Sequence, residues 1–544
     1  MTQGAVLMEC VQGTGIVGGI ASGTITIYGK REYQVKMVHV DDTEAELNRY
    51  ELAKRGVSKQ LDILYEKAQK EVGETNAQVF EAHKIILDDE DYNNSVMSFI
   101  DNQKVNAEYA VAKTCEVFLS MFSYIEEDYI KERSIDIKDV SDKIIAALTG
   151  CEYDSKEDKA PAIIMASELT PSETIQMDKK LILAFVTKKG SKNSHTAILA
   201  KAMNIPAVAG IDIKEQWNGK ECIVDGDTGT IYVEPDEQTA SQMQKKREKL
   251  AKKQELLQKM KGKETIAPNG RKIKLYANIG GESDAKEALA NDAEGIGLFR
   301  TEFLYLGGED YPTEEEQFNT YRYVAEMMGG KEVVIRTLDI GADKQADYFG
   351  LESEENPAMG YRAIRICLDR RDMFKTQLRA ILRASAYGKI SIMLPMIISV
   401  QEVQATKKII KEAEKELTEL GITYGKFKLG VMIETPAAVM ISDLLAKEVD
   451  FFSIGTNDLA QYTLALDRQN QKLEKIYDAH HPAVLRMIEY VIKNAHENNV
   501  KVGICGELGS DIALINKFIE MGIDELSVVP SMILEVRQAV IGSD

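Results

Sequence analysis

No uncharged apolar run in this chain comes near twenty residues, so no membrane-spanning helix is expected. The six cysteines, Cys10, Cys115, Cys151, Cys222, Cys367 and Cys505, form no CxxC pair, which argues against a zinc site and a disulfide framework. Basic residues are in the minority: 67 Lys and Arg stand against 87 Asp and Glu. The resulting net charge of −20 argues against general nucleic-acid binding, which needs a basic surface. The start of the chain has no basic segment and carries Glu9, so no secretory signal is read and a cytoplasmic protein is expected. No G-x-x-x-x-G-K-[ST] loop for nucleotide phosphates is present either.

What is present is the composition of a globular protein, 44% hydrophobic and 28% charged, in a chain whose 544 residues exceed one core. Eight short apolar runs alternate with helix-like segments in the C-terminal half, at 274–279, 295–299, 333–336, 390–395, 428–433, 451–454, 502–505 and 525–529. That alternation is the signature of parallel strands with crossover helices. Eight such units predict a (β/α)₈ barrel, the TIM fold, over 264–544. Residues 236–263 carry Lys245, Lys246, Arg247, Lys249, Lys252 and Lys253, with Met243, Leu250 and Leu257 seven apart. They predict a charged linker helix with one thin apolar stripe. Residues 41–148 have no proline and almost no glycine, which predicts several packed helices. Strand-like runs at 20–28, 162–165, 181–186, 207–208 and 221–233 flank them. The fold expected is therefore α/β and multidomain: an α/β domain formed by 1–28 and 149–235, an all-α insert at 29–148, the linker helix, and the barrel.

Barrel active sites lie at the carboxyl ends of the strands, so polar residues there carry the functional reading. Arg300 and Glu302 end the second run, Arg336 and Asp339 the third, Glu434 the fifth, Asn457 and Asp458 the sixth, and Cys505 and Glu507 the seventh. Arg362, Arg365 and Arg468 lie close by in sequence. Arginines gathered at one mouth repel one another unless an anion sits among them, and guanidinium forks suit phosphate and carboxylate. A small polyanion is the expected ligand. Glu434 and Asp458 offer the hard oxygens Mg²⁺ prefers, with its remaining positions left to water and substrate phosphate. For one Arg–Asp pair an ordinary ion pair is the better reading; for the whole set a ligand is. Cys505, a poor Mg²⁺ ligand, is assigned general-acid work rather than the buried-hydrophobe role usual for a lone cysteine.

A second constellation is Gly190-Ser191-Lys192-Asn193-Ser194-His195, in which Asn193 or Ser194 caps a helix running from His195 to about Met203. A histidine in the first turn sits at the positive end of the helix dipole, where a phosphoryl group on its ring would meet free N–H donors. Alone this is a weak signal; the anion-binding barrel strengthens it. His39, His83, His480, His481 and His496 are read as having no metal role.

The runs Gly295 to Phe303, Pro312 to Phe318, Arg336 to Gly341, Val431 to Ala438 and Phe451 to Asp458, with Cys505-Gly506-Glu507-Leu508, resemble the enzyme I family of the bacterial sugar phosphotransferase system over nearly the whole chain. The resemblance implies that the barrel binds phosphoenolpyruvate with Mg²⁺, that a swivelling domain brings its histidine there, and that the carrier protein HPr, docked by the helical insert, is then phosphorylated. It matches His195 to the phosphorylated histidine, Arg300 and Arg336 to the phosphate-binding arginines, Glu434 and Asp458 to the metal ligands, Asn457 and Arg468 to substrate contacts, Cys505 to the proton donor, and Thr170 to a threonine near the histidine. Arg362 is read as a further substrate-binding arginine from its place beside the barrel mouth. It also implies a homodimer through the barrel. The turn before His195 departs from the family's Gly-Gly-x-Thr-Ser-His, exchanging a glycine and a threonine, so activity with changed rates is expected. Gly13-Thr14-Gly15-Ile16-Val17-Gly18-Gly19 likewise replaces the family's N-terminal motif. Two rival readings stay open: a dikinase or synthase of the same superfamily, which would need a nucleotide-binding domain, and a phosphoenolpyruvate sensor that no longer transfers phosphate.

Overall fold

The structure, a computed structural model, describes residues 8–29, 35–72, 74–122, 128–150, 160–190, 194–306, 310–342, 347–468, 470, 472–473 and 475–543. It divides into two units, Met1–Lys252 and Lys253–Asp544.

The first unit contains strands β1 (Glu9–Gln12), β2 (Thr14–Val17), β3 (Ile20–Tyr28), β4 (Ala162–Ala166), β5 (Ile182–Thr187), β6 (Ala207–Ala209), β7 (Glu221–Asp225) and β8 (Thr230–Val233). They form one sheet in the order β1-β8-β7-β3-β4-β5-β6-β2. The run from β3 to β6 is parallel and the flanking pairs are antiparallel. Period-two alternation separates the two faces. Ile163 and Met165 join Val224 and the single tryptophan, Trp217, on one side. Ile164 and Ala166 join an apolar cluster with Tyr50, Leu61, Phe80 and Leu199 on the other.

The stretch 221–233, which the sequence presents as one strand-like run, is a hairpin. The Asp225 carboxylate accepts from the backbone N–H groups of Asp227 and Thr228 and turns the chain. Strands β1 and β2 are not evident in the sequence. Although adjacent along the chain, they pair at opposite ends of the strand order, so the sheet is rolled until the single residue Gly13 joins its edges. A Cβ there would come within 2.4 Å of the Ala209 carbonyl oxygen, which leaves room only for glycine.

Between β3 and β4 lie helices α1 (Thr43–Val72), α2 (Glu74–Asp88), α3 (Glu90–Gln103), α4 (Ala107–Phe122) and α5 (Asp128–Thr149). The Asp89 side chain caps α3 by accepting from Tyr92 N–H, and Lys104 ends it in a left-handed conformation. Three further helices follow in the chain: α6 (Pro171–Gln176), α7 (His195–Met203) and α8 (Glu237–Gln258). No side chain of α8 is buried, as its thin apolar stripe predicts.

The second unit is a closed barrel of eight parallel strands: β9 (Lys274–Ile279), β10 (Gly295–Phe299), β11 (Glu332–Arg336), β12 (Lys389–Leu394), β13 (Phe427–Ile433), β14 (Phe451–Ile454), β15 (Lys501–Ile504) and β16 (Glu525–Val528). All eight fall within a residue of the runs in the sequence. Outward residues such as Val333 and Ile335 join the large core between strands and helices. The alternate residues Leu298, Val334, Met393 and Met432 form a separate cluster with Cys505, an inward layer beneath the carboxyl ends of the strands.

Candidate active site

The barrel brings the expected arginines and carboxylates to one rim because parallel strands all deliver their last residues to the same end. Arg336 closes β11 and is buried; its Nη2 lies 2.9 Å from Glu302 Oε1 and its Nη1 3.0 Å from Asp339 Oδ2. Asp339 Oδ1 accepts from Nη2 of the buried Arg362 at 2.8 Å. Burial would make the Arg336 guanidinium easier to deprotonate, but the carboxylates of Glu302, Asp339 and Glu434 outweigh it and hold the charge firmly in place. Arg336 Nε is buried and makes no hydrogen bond among the described residues, a donor left for a ligand. Arg300, next after β10, is exposed and forms no ion pair among the described residues.

Glu434 follows β13 and is fully buried. Its Oε1 accepts at 2.5 Å from the N–H of Met396, a non-glycine residue held at φ +56°. Such left-handed backbone is disfavoured and tends to mark functional sites. Its Oε2 has no partner among the described residues. A Cβ at Gly455 would lie 3.0 Å from that oxygen, so glycine keeps the space open. Burial first, then the nearby Asp458 and Asp339 carboxylates, push Glu434 up to about 8 against the pull of Arg336. Asp458 stands in the first turn of the helix Thr456–Leu464. Two carboxylates that repel each other around an unpartnered oxygen are what a bound cation would relieve, so the donor set fits a hard divalent ion. Among the described residues no cluster of three or more His, Cys, Asp or Glu is arranged to hold a metal.

Cys505 comes directly after β15 and is 3% exposed, its Sγ 3.6 Å from the Ile454 carbonyl oxygen. Burial pushes the thiol up to about 11, so it keeps its proton at neutral pH. Asn457 and Arg468 meet at Glu507. The Asn457 amide exchanges two hydrogen bonds with Glu507, each 2.9 Å, and Arg468 Nη1 lies 4.0 Å from its carboxylate.

In the first unit His195 opens α7, and Ser194 caps it by accepting from Ala197 N–H at 3.3 Å. Asn193 and the His195 side chain lie outside the described residues. Thr170 caps α6 in a reciprocal box with Glu173, and Thr196 Oγ1 donates to Leu169 O at 3.1 Å, so the Thr170 turn abuts the start of α7. Of the other histidines, His83 is buried 3.0 Å from Asp136, His480 pairs with Asp511, His481 caps the helix Pro482–Glu497, and His496 pairs with Asp524.

The structural roles of Glu302, Asp339, Met396 and Gly455 are not evident from residue type. Glu302 and Asp339 are legible only as neighbours of the arginines they hold, and nothing in the sequence marks the left-handed Met396.

The fold and this rim define an enzyme that uses phosphoenolpyruvate: models of the PEP-utilising enzymes match in three parts, the N-terminal region at 12–133, the mobile domain at 158–229 and the PEP-binding domain at 254–544. The phosphoenolpyruvate-protein phosphotransferase of Priestia megaterium is 42% identical over 97% of this chain and 93% of its own. That of Bacillus subtilis is 40% identical over 97% and 94%. The chain belongs to the phosphoenolpyruvate-protein phosphotransferases. Among solved structures, the solution structure titled Enzyme I (nEIt) is 32% identical, with a TM-score of 0.38, covering 44% of this chain and 99% of that one. Among the described residues no helix is long and apolar enough to cross a membrane.

Proposed function

We propose that the protein takes the phosphoryl group of phosphoenolpyruvate onto His195, releases pyruvate, and passes the phosphoryl group to a histidine of the carrier HPr as the first step of sugar uptake. The observation that carries this reading is the single rim where Arg336 and Arg362, oriented by Glu302 and Asp339, stand beside Glu434 and the protonated Cys505. Arg336 and Arg362 bind the phosphate and carboxylate of the donor, with Arg300 at the edge. Asn457 and Arg468 leave Glu507 to reach the substrate. Glu434 and Asp458 are the residues to hold Mg²⁺, which would supply positive charge beside the phosphate and the enolate oxygen.

The first unit delivers the imidazole of His195, and a ring nitrogen forms its bond to phosphorus as the bridging P–O bond breaks. Charge developing on the enolate oxygen is stabilised by the fixed guanidiniums. The Cys505 thiol then protonates C3 as the enolate pair becomes the carbonyl, and water restores the thiol. Thr170, beside the start of α7, orients the histidine. The helical insert receives HPr; its exposed Leu52, Ile63 and Ile85, 67–72% accessible on α1 and α2, support a docking role. A homodimer through the barrel and a cytoplasmic location complete the reading.

Incubation with labelled phosphoenolpyruvate and Mg²⁺, then peptide mapping of the acid-labile label, tests it. Label on His195 that chases to HPr is expected; a protein that binds the donor but takes no label would be a sensor instead.

A further inference from the structure

We propose that Asn278 is a positioning residue for the proton donor, its amide fixing the Cys505 carbonyl so that the thiol is aimed into the barrel mouth; this rests on the reading of Cys505 as that donor.

Cys505 lies one residue past β15, where ladder pairing to β16 has already ended at Ile504 and Leu526. Its N–H still reaches Ile454 O at 3.1 Å, but the ladder offers its carbonyl no donor. Asn278, on β9, supplies one from two strands away. Its Nδ2 donates to Cys505 O at 2.9 Å and to Ser527 O, on β16, at 3.1 Å. Its Oδ1 accepts from Ser527 Oγ at 2.7 Å, which fixes the orientation of the amide.

Asn278 is buried, 7% exposed, and both its amide hydrogens are engaged, so it has no donor left for substrate. Its work is to hold. An aspartate could not do it, because two carbonyl oxygens need two N–H donors. The other flank of the turn is fixed by packing: a Cβ at Gly506 would come within 2.0 Å of Thr456 Oγ1. Cys505 is therefore held at its own carbonyl by one hydrogen bond and at the next residue by steric fit. The precision matters because proton transfer needs the S–H directed at C3 of the enolate, and small misplacements of a reacting group cost rate steeply.

The test uses the full chain in single turnovers with phosphoenolpyruvate and Mg²⁺. Labelling of His195 is followed by rapid quench and keto-pyruvate by coupling to lactate dehydrogenase. In Asn278→Ala, pyruvate is expected to lag labelling by about tenfold or more, with the lag reproduced by Cys505→Ala. Ser527→Ala, which removes only the hydroxyl that orients the amide, is expected to give a smaller lag in a fully folded protein, and it carries the test should Asn278→Ala fold poorly. Labelling and pyruvate that stay in step in Ser527→Ala and in folded Asn278→Ala, or that fall together, would overturn the role of Asn278. No lag in Cys505→Ala would instead remove the cysteine as donor, a separate outcome.

Discussion

Asp339 holds Arg336: its Oδ2 lies 3.0 Å from Nη1 of that arginine, while its other oxygen takes Arg362. One buried carboxylate thus orients two guanidiniums. Buried ion pairs contribute little net stability, but they fix geometry.

Asp339→Asn keeps the shape and removes the charge. Because a hydrogen bond to a charged group contributes roughly 1.5–3 kcal/mol, the KM for phosphoenolpyruvate should rise about 10- to 100-fold. Steady-state kinetics beside a melting curve checks this. An unchanged KM would mean that the arginines need no such support.

Glu434→Gln should separate activity from stability. The amide still offers Met396 an oxygen but cannot hold a cation, so His195 labelling should fall by at least about 100-fold. At pH 9 the parent carries a buried charge that burial and Asp458 disfavour. The variant carries none, and its barrel should melt at a higher temperature, by about 2 °C or more. Lower stability with full labelling would contradict both halves.

A second raised carboxyl sits at the opposite end of the barrel. Glu525 begins β16, its Oε1 2.8 Å from where a Cβ would stand on Gly297. Burial, then the Glu332 carboxylate, push it up to about 8. The folded state therefore holds this proton more tightly than the unfolded chain, whose glutamate titrates near 4.3. Its contribution to stability is full below that value, declines as pH rises and is lost above about 8. Glu525→Gln should flatten the loss of barrel stability between pH 6 and pH 9, read by urea unfolding. An undiminished slope would assign that loss to other groups.

The barrel was legible because parallel strands buried on both faces read as short apolar runs, and the helices between them kept the runs apart. The same logic exposed Arg336, Glu434, Asp458 and Cys505 as strand-end residues. Strands β1 and β2 were hidden because four-residue edge strands beside Gly13 have too little pattern to register. Tertiary devices were hidden for another reason. That Asn457 is tied to Glu507, or that Met396 turns its N–H toward Glu434, depends on side chains meeting across strands, and no spacing along the chain encodes it.

The lone indole has a practical consequence. Trp217 is wholly shielded within the rolled sheet, and the barrel contains no other. Its ultraviolet emission is therefore a private gauge of the half of the molecule that carries the histidine. Heating that opens this sheet exposes the indole and changes its signal, so the melting of that half can be followed on its own without attaching a dye.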